Sequence, residues 1–368
     1  MKKKTNPANV GAAVIGLGRG MSHVRCYSGA ENCDLIAVCD INEEKARAVA
    51  EEFGVDYYTD YQEMLKRDDI DLVSVVTPSG MHCEMADVIA LAGKHCLVEK
   101  PLDVTLPPID RTIALYDEKD LKLGCIFQNR LEDAIQLTKK AVEEGLLGEL
   151  VVCNIMVKWY RNDAYYEANG GWRGTWRWDG GGSLMNQSVH TIDIMQWLMG
   201  GVESVFAKVK VVNHKIETED IGCALVKFKN GAYGTITGST ATYPGFGTAI
   251  EVHGTKGGIC VKDNQITSWK IDRSDTPAAD KDEQKARAMA IAAEEAEMIA
   301  KTQKAPRTGA ANDPAAIGNN TTFFQVQDMV NAVKENRQPI ICGSEGRNAV
   351  ELILAIYESS QTGKEIFL

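Results

Sequence analysis

The stretch Val10–Gly29, "VGAAVIGLGRGMSHVRCYSG", decides the fold prediction because an apolar run, a glycine cluster and a helix-forming segment follow one another. This order predicts a strand, a tight turn and a helix. Gly16 and Gly18 take the first two places of a GxGxxG pattern, but Met21 takes the third and Gly20 comes one position early. Such glycines let the backbone approach a pyrophosphate, whose negative charge a helix N-terminus favours. The stretch therefore predicts a dinucleotide-binding unit.

A second apolar run, "CDLIAVCD" at Cys33–Asp40, ends in a carboxylate that follows the glycine turn. At about twenty residues from that turn, a carboxylate can hydrogen-bond the hydroxyls of the adenosine ribose. Asp40 would repel the 2′-phosphate of NADP, and Lys45, the nearest positive side chain, lies further along the chain. NAD is therefore expected as the cofactor, with NADP less favoured.

Apolar runs and helix-forming segments continue to alternate up to residue 101. "IDLVSVVTP" (70–78) and "HCLVEKP" (95–101) predict buried strands, and "MHCEMADVIALAGK" (81–94) predicts the helix between them. Such alternation predicts a doubly wound parallel sheet, in which ligands bind at the carboxyl ends of the strands. Four residues lie at those ends: Thr77, Pro78, Glu99 and Lys100.

Lys100 is a candidate for proton transfer because Pro101 directly follows it. Proline fixes a turn and removes a backbone donor, so Lys100 does not lie in a flexible polar tail. Burial beside a cationic nicotinamide would lower the pKa of its amine and make it useful in acid–base chemistry. The alternative is an ordinary solvated lysine at a strand end.

The pattern changes after residue 128. Short strands separated by turn signals follow between residues 202 and 261, and "KNGAYG" at 229–234 is typical of a β-hairpin. The sequence thus predicts an α/β Rossmann domain, with a doubly wound parallel sheet, over residues 1–128. It predicts an α+β domain with an open, mainly antiparallel sheet over residues 129–368.

Residues 276–320 form a segment that neither predicted domain requires. "DKDEQKARAMAIAAEEAEMIAKTQK" (280–304) has strong helix propensity, and a polar, turn-rich connection follows it. The segment is expected to be a helical insertion that covers the substrate crevice as a lid or reaches a neighbouring subunit. A solvated surface helix is an equally good interpretation.

A helix is predicted to begin near Ser183 and to end before Gly200, within "GGGSLMNQSVHTIDIMQWLMG". Asn186, His190 and Asp193 are spaced i, i+4 and i+7, which places them on one helical face. A catalytic crevice explains such an alignment of an amide, an imidazole and a carboxylate. The alternative is a core histidine hydrogen-bonded to Asp193. No metal site is expected, because no HxxxH or HExxH pattern completes a ligand set.

The segment from Trp159 to Trp178 alternates aromatic residues with arginines and asparagines. Flat rings beside planar donors suit a sugar, whose CH face stacks while its hydroxyls form hydrogen bonds. The arginines can instead meet a carboxylate or phosphate on that sugar. Packing in an ordinary core is the competing explanation. The candidate substrate-binding residues are Tyr160, Trp172, Arg173, Trp176, Arg177 and Asp193.

Composition excludes several classes of protein. A net charge of −11 disfavours nucleic acid, which needs a concentrated basic face. Ten cysteines without any CxxC pair argue against a zinc knuckle or a thioredoxin-like site. No apolar run is long enough to cross a membrane, and the basic start lacks the features of a signal peptide. A cytoplasmic protein is expected.

The glycine turn, "VVTPSGMH" (75–82), "EKP" (99–101) and "GGGSLMNQSVHTID" (180–193) together resemble the glucose–fructose oxidoreductase, inositol dehydrogenase and MocA (Gfo/Idh/MocA) family. The resemblance covers nearly the whole chain. It implies a nicotinamide cofactor in the N-terminal domain and substrates that are mostly sugars or polyols. It also implies a homodimer or homotetramer assembled through the C-terminal sheet.

The resemblance assigns roles to individual residues. Lys100 matches the lysine that assists proton transfer, His190 matches the acid–base histidine, and Asn186 stands where inositol dehydrogenase-like members hold an aspartate. Because an amide cannot accept a proton as a carboxylate does, either Lys100 or His190 is the base. The residues expected to bind or line the cofactor are Gly16, Gly18, Arg19, Gly20, Asp40, Thr77, Pro78, His82, Glu99 and Asn129.

The expected reaction is NAD-dependent oxidation of a secondary hydroxyl of a sugar, polyol or sugar derivative to a ketone by hydride transfer. An alternative within the family is an enzyme that keeps NAD bound and recycles it while cleaving a glycoside or transferring hydride between sugars. The presence of both Lys100 and His190 disfavours a sensor without catalysis.

Overall fold

The computed structural model describes residues 1–274, 276–303 and 320–368, which pack into two units. The first unit contains Met1–Gln128, Thr175–Gly180 and the described part of 318–350. The second contains Asn129–Gly174, the described part of 181–317, and Glu351–Leu368. The domain boundary predicted between residues 128 and 129 differs from this division, because it assigns residues 175–180 and 318–350 to the second domain.

The elements are numbered in chain order. The strands are β1 (Val10–Ile15), β2 (Cys33–Cys39), β3 (Asp56–Tyr58), β4 (Leu72–Val75), β5 (His95–Val98), β6 (Leu123–Cys125), β7 (Leu150–Lys158), β8 (Val202–Lys210), β9 (Ile221–Phe228), β10 (Tyr233–Ser239), β11 (Gly247–Gly254), β12 (Gly257–Lys262), β13 (Gln265–Ile271) and β14 (Ile366–Phe367). The helices are α1 (Met21–Gly29), α2 (Glu43–Phe53), α3 (Tyr61–Leu65), α4 (His82–Leu91), α5 (Leu106–Glu118), α6 (Asp133–Glu143), α7 (Asp163–Glu167), α8 (Val189–Met199), α9 (Lys281–Thr302), α10 (Asn320–Glu335) and α11 (Gly343–Thr362). None of these described helices is both long and apolar enough to cross a membrane.

The first unit is built on a six-stranded parallel sheet in the order β3-β2-β1-β4-β5-β6. All six residues of β1 are buried, as expected for a central strand that is covered on both faces. The chain order reverses at β1, whose neighbours are β2 and β4. Ligands of open parallel sheets bind at the carboxyl ends of the strands near such a reversal. The doubly wound sheet predicted from the sequence is confirmed.

Helix α10 belongs to the core of the first unit, although it lies about two hundred residues beyond the end of β6. Val326, Met329 and Val330 share a buried apolar cluster with Val14 and Val24. The side chain of Gln325 adds polar contacts, because it accepts the Phe127 N–H at 3.0 Å and donates to the Cys125 carbonyl oxygen at 2.6 Å. These contacts fix the chain where it leaves β6.

The second unit is built on an eight-stranded sheet in the order β13-β12-β11-β7-β10-β9-β8-β14. The β7–β10 pair is parallel, and the other neighbouring strands are antiparallel. One face is buried, as the alternation along β7 shows, where Cys153, Ile155 and Val157 are inaccessible. The open, mainly antiparallel sheet predicted for this part of the chain is confirmed.

Helix α9 lies along β13, the edge strand of this sheet. The indole Nε1 of Trp269 donates to Glu294 at 2.9 Å, and the Ile266 N–H donates to Thr302 Oγ1 at 2.9 Å. The described part of the predicted 276–320 insertion is therefore a helix held on a sheet edge by side-chain hydrogen bonds. Its polar connection over 304–319 lies outside the described residues.

Candidate active site

The glycine turn after β1 explains why the nucleotide-binding pattern departs from GxGxxG. Gly16 has φ +86°, a conformation that L side chains rarely adopt. A Cβ on Gly20 would lie 1.9 Å from the Gly16 carbonyl oxygen, so the turn closes directly on Gly20. Gly20 thus provides the close packing that the third glycine of the pattern usually supplies.

The same turn leaves room for a pyrophosphate. A Cβ on Gly18 would meet no atom within 4 Å, so that side of the turn is open. Helix α1 has no acidic residue in its first turn, and no side chain among the described residues caps its N-terminus. Its first amides therefore suit a dinucleotide phosphate. Arg19 lies within this turn and is exposed.

Asp40 follows β2 and is fixed by three donors. The Leu17 N–H donates to its Oδ2 at 2.8 Å, the Asn42 N–H donates to its Oδ1 at 3.0 Å, and Lys45 Nζ lies 3.1 Å from Oδ2. Burial opposes ionisation, but these donors outweigh it and hold the pKa of Asp40 below its usual value. Lys45 lies five residues beyond Asp40 in the sequence, and the first turn of helix α2 brings its amine back to the carboxylate.

Glu99 is directed into the protein interior. Its Oε1 lies 3.2 Å from His23 Nε2, and His23 Nδ1 lies 3.0 Å from the Ser74 hydroxyl, which Tyr27 also contacts at 2.8 Å. Burial raises the pKa of Glu99, but His23 and the charges of nearby basic groups outweigh that effect and hold the pKa well below its usual range. This buried network was not predicted from the sequence. The residue that could have indicated it is His23, which lies on the helix after the glycine turn.

The second oxygen of Glu99 positions the lysine next to it. Glu99 Oε2 accepts the Lys100 N–H at 3.1 Å, and the Lys100–Pro101 peptide bond is cis. The side chain of Lys100 is half-buried at the end of β5. Glu99 therefore fixes the backbone of Lys100, and its role in lining the cofactor path stays a prediction.

His82 connects Thr77, one of the predicted strand-end residues, with Pro101. Its Nδ1 lies 2.7 Å from the Pro101 carbonyl oxygen, and its Nε2 lies 3.0 Å from the Thr77 carbonyl oxygen. The ring is buried, and both nitrogens face protein acceptors. His82 thus joins the turn after β4 to the turn after β5, and its role in lining the cofactor path stays a prediction. Pro78 directly follows Thr77 and leads into a 3₁₀ turn at Ser79–Met81.

The aromatic segment divides between the two units. Trp176 and Arg177 belong to the first unit, where the Gly80 N–H donates to the Trp178 carbonyl oxygen at 2.9 Å. Trp172 and Arg173 belong to the second unit. The structure therefore groups Trp176 and Arg177 with the residues that follow β4. It does not group them with the other predicted sugar-binding residues.

The predicted helix from Ser183 begins as a π-helical turn over Ser183–Ser188 and continues as α8. Because a π turn holds more residues than an α turn, the 3.6-residue periodicity behind the predicted alignment is interrupted before His190, whereas His190 and Asp193 both lie in the regular helix α8. Asn186 and His190 are half-buried, whereas Asp193 is 2% exposed. Single-turn π segments occur frequently at functional sites.

Asp193 forms a buried ion pair with Arg130. Arg130 Nε donates to Asp193 Oδ2 at 2.7 Å, and Nη2 donates to Oδ1 at 2.6 Å. The Arg130 guanidinium also lies 5.3 Å from the ring centroid of Trp197. The ion pair joins α8 to the 3₁₀ turn at Gln128–Leu131, which is typical of a structural role, and the substrate-binding role of Asp193 stays a prediction. Asn129, the last predicted cofactor residue, lies in that same 3₁₀ turn.

Glu219, which is distant in sequence from the π-helical turn, caps that turn. Its Oε1 accepts the Leu184 N–H at 2.7 Å, its Oε2 accepts the Gly182 N–H at 3.1 Å, and its carbonyl oxygen accepts the Ser183 N–H at 3.0 Å. Burial raises the pKa of Glu219 to about 7, against the opposing effect of these backbone donors. Glu219 was not predicted from the sequence, because thirty-five residues separate it from Leu184 in the turn that it caps.

Glu219→Gln is expected to flatten the dependence of stability on pH. The folded protein keeps the Glu219 proton up to about pH 7, whereas the unfolded chain releases it near pH 4.5. The wild type therefore loses stability as the pH rises through this range, and a neutral amide does not. Between pH 5 and pH 8 the wild type should lose about 3 kcal/mol more unfolding free energy than the variant, measured by urea denaturation.

The exposed neighbour Glu217 provides the control for this experiment. Glu217→Gln should keep the wild-type dependence on pH. Parallel stability curves for the wild type and Glu219→Gln would show that the Glu219 carboxyl does not titrate in this range.

Tyr165 and Gln187 lie beside Asn186 in the second unit. The Tyr165 hydroxyl lies 3.4 Å from Asn186 Oδ1, and Gln187 Nε2 donates to that hydroxyl at 2.6 Å and to Asn186 Oδ1 at 2.7 Å. Tyr160 packs edge-on against Tyr243, with ring centroids 5.1 Å apart. Asn186 is thus held by neutral donors beside aromatic surfaces.

Comparisons with known proteins identify the family. Residues 10–127 match the family model described as "Oxidoreductase family, NAD-binding Rossmann fold", and residues 135–260 match the "GFO/IDH/MocA C-terminal domain". The chain belongs to the Gfo/Idh/MocA family. The resemblance inferred from its motifs is confirmed, and the protein is an oxidoreductase with an NAD-binding Rossmann domain.

Individual members of the Gfo/Idh/MocA family are similar over most of the chain. Myo-inositol 2-dehydrogenase of Thermotoga maritima is 32% identical over 258 residues, which are 67% of this chain and 73% of that protein. The scyllo-inositol 2-dehydrogenase (NAD(+)) of Bacillus subtilis is 28% identical over 68% of this chain and 73% of its own length. The crystal structure of the WlbA dehydrogenase from Bordetella pertussis, in complex with NADH and UDP-GlcNAcA, has a TM-score of 0.81 and 30% identity, and the match covers 98% of this chain and 99% of that one.

Proposed function

We propose that the protein is an NAD-dependent dehydrogenase that oxidises a secondary hydroxyl of a sugar, polyol or sugar derivative to a ketone. The observation that carries the proposal is the half-buried Lys100 at the carboxyl end of β5, fixed by Glu99 in a chain that is 32% identical to an inositol dehydrogenase. Similarity to dehydrogenases of inositols and of a nucleotide sugar supports a carbohydrate or polyol substrate.

Lys100 and His190 divide the proton chemistry. One of them removes the hydroxyl proton, and the other hydrogen-bonds the oxygen as it becomes a carbonyl oxygen. Asn186 orients the hydroxyl by hydrogen bonding, since its amide does not accept a proton at neutral pH. Bound NAD would supply the hydride acceptor for this oxidation.

The residues of the glycine turn and of β2 would hold NAD. Gly16, Gly18, Gly20 and the first amides of α1 suit the pyrophosphate, and Asp40 is an ionised acceptor for the ribose hydroxyls. Because the amine of Lys45 lies on the Asp40 carboxylate, it is already paired and does not offer a 2′-phosphate an independent cation. NAD is therefore proposed over NADP.

A substrate panel tests the proposal directly. The purified protein is incubated with NAD or NADP and with inositols, free sugars, uronates, glycosides and nucleotide sugars, while reduced nicotinamide and product mass are followed together. We expect reduced nicotinamide with one substrate class, and a kcat/KM with NAD at least about tenfold that with NADP, since a 2′-phosphate beside Asp40 is repelled. Product without net reduction would favour a bound, recycled cofactor instead. Absence of both would contradict the proposed function.

We also propose that the protein assembles as a homodimer or homotetramer through the open face of the eight-stranded sheet. Large apolar side chains are exposed on that sheet, among them Phe206 (43%), Leu225 (52%) and Tyr233 (53%). Phe206 and Leu225 are directly opposite on neighbouring strands β8 and β9. Exposed apolar groups of this kind mark interaction surfaces. The particle mass in solution tests the assembly.

A further inference from the structure

Two arginines border the ring of Tyr165 in the second unit. The Arg173 guanidinium carbon lies 4.6 Å from the Tyr165 ring centroid and 5.0 Å from that of Trp172. The Arg161 guanidinium carbon lies 5.5 Å from the Tyr165 centroid and 4.8 Å from that of Trp159. Stacking of this kind fixes the plane of a guanidinium and leaves its N–H groups available at the edge.

The two arginines differ in what they bind. Arg161 is 1% exposed and serves the protein itself, since Nη1 donates to the Tyr160 carbonyl oxygen at 3.0 Å and Nη2 donates to Gln187 Oε1 at 3.1 Å. Arg173 is only half-buried. Across residues 1–274, 276–303 and 320–368, no carboxylate forms an ion pair with it. Arg173 is therefore a half-buried cation that stacks on two aromatic rings and has no carboxylate partner among the described residues.

Tyr165 connects Arg173 to the proposed reaction site. Its ring carries the Arg173 guanidinium, and its hydroxyl lies 3.4 Å from Asn186 Oδ1. A sugar ring held at Asn186 would thus bring its substituents within reach of Arg173. Guanidinium groups bind carboxylates and phosphates through two parallel N–H···O bonds, which add both energy and geometric specificity.

The charges near Asn186 also favour an anionic group on the substrate. Gln187 beside it is neutral, and Asp193 on α8 is already paired with Arg130. Arg161 and Arg173, which both stack on Tyr165, place two positive charges beside the ring whose hydroxyl contacts Asn186. Local charge of one sign raises the concentration of oppositely charged substrates.

We propose that Arg173 binds an anionic group of the substrate and that the preferred substrate is an acidic sugar, bearing a carboxylate or a phosphate. The inference rests on the proposed function, because it concerns the same site. It assigns Arg173 a role in specificity and none in proton or hydride transfer.

Matched substrates test this assignment. Glucose, glucuronate and glucose 6-phosphate share one ring and differ only at carbon 6, and each is offered to the wild type and to Arg173→Gln and Arg173→Lys. We expect the wild type to use one acidic sugar with a kcat/KM at least about tenfold that for glucose, in line with a desolvated charge-assisted contact. The better of the two acidic sugars identifies the anionic group as carboxylate or phosphate.

The Arg173 variants are expected to act on KM. Arg173→Gln should raise KM for the acidic sugar about 10- to 100-fold and leave its kcat and the kinetics with glucose within about threefold, because uniform binding energy is lost. Arg173→Lys should retain part of the preference, since the charge remains and the two-point geometry does not. Arg47→Gln, which removes an exposed arginine from α2, provides the charge-matched control and should resemble the wild type.

Equilibrium binding separates failure of this inference from failure of the proposed function. Binding of each sugar to the NADH-loaded protein is followed by nicotinamide fluorescence. Without turnover of any sugar, tighter binding of an acidic sugar by the wild type than by Arg173→Gln would still support the anion site and would count against the dehydrogenase. Equal treatment of acidic and neutral sugars by the wild type, in both turnover and binding, overturns the inference. An equal effect of Arg173→Gln on all three sugars also overturns it.

Discussion

Lys100→Ala is expected to lower kcat at least about 100-fold with the substrate that the panel identifies. A positioned acid–base group contributes about 10²–10⁴ to the rate, and the Lys100 amine stands at the carboxyl end of β5, where ligands of parallel sheets bind. Glu99 holds the Lys100 N–H at 3.1 Å, so the backbone that presents the amine should be unchanged in the variant. Steady-state turnover, with NADH binding measured in parallel, gives the result.

Two further variants distinguish proton transfer from charge alone. Lys100→Arg keeps a positive charge, but a guanidinium does not release its proton at neutral pH, so turnover should stay low while NADH binding is retained. Lys119→Ala removes an exposed lysine at the end of α5 and should resemble the wild type. Turnover of Lys100→Ala within about threefold of the wild type would remove Lys100 from the mechanism.

Local sequence patterns were sufficient for four of the six strands of the first sheet, β1, β2, β4 and β5. The strand-turn-helix unit at residues 10–29 and the alternation up to residue 101 depend on neighbours in the sequence, and the structure has the predicted strands there. Even the irregular glycine pattern is local, because Gly20 packs against Gly16. Helix α10 was beyond this kind of reasoning, since its apolar face meets partners about three hundred residues away.

The candidate site shows the same limit more sharply. Lys100, Asn186 and His190 were identified from motifs, and all three are half-buried in the structure. Glu219, which holds the π-helical turn, was not identified, because its donors come from residues 182–184. Helical periodicity assumed 3.6 residues per turn through Ser183–Ser188, and the π geometry invalidates that assumption.

Arg130→Met and Asp193→Leu are each expected to lower the free energy of unfolding by about 3–5 kcal/mol, because either change leaves one charge buried without its partner. Both side chains are nearly inaccessible, and two hydrogen bonds of 2.6 and 2.7 Å join them. The double variant should lose far less than the sum of the two losses, since an apolar pair of similar volume removes both desolvation costs. Urea denaturation of the four proteins measures the coupling between the two residues.

The same four proteins decide between the structural role and the substrate-binding role that the sequence suggested for Asp193. If the ion pair is structural, the double variant should recover much of its stability and keep a KM within a few-fold of the wild type, because its packing again supports α8. Glu144→Gln breaks an exposed pair with Lys140 in the same unit and should cost no more than about 0.5 kcal/mol, as solvent-screened pairs do. A double variant with restored stability but a KM raised at least about tenfold would instead support substrate binding by Asp193. The loss of binding would then result from the missing carboxylate and not from a change in the fold.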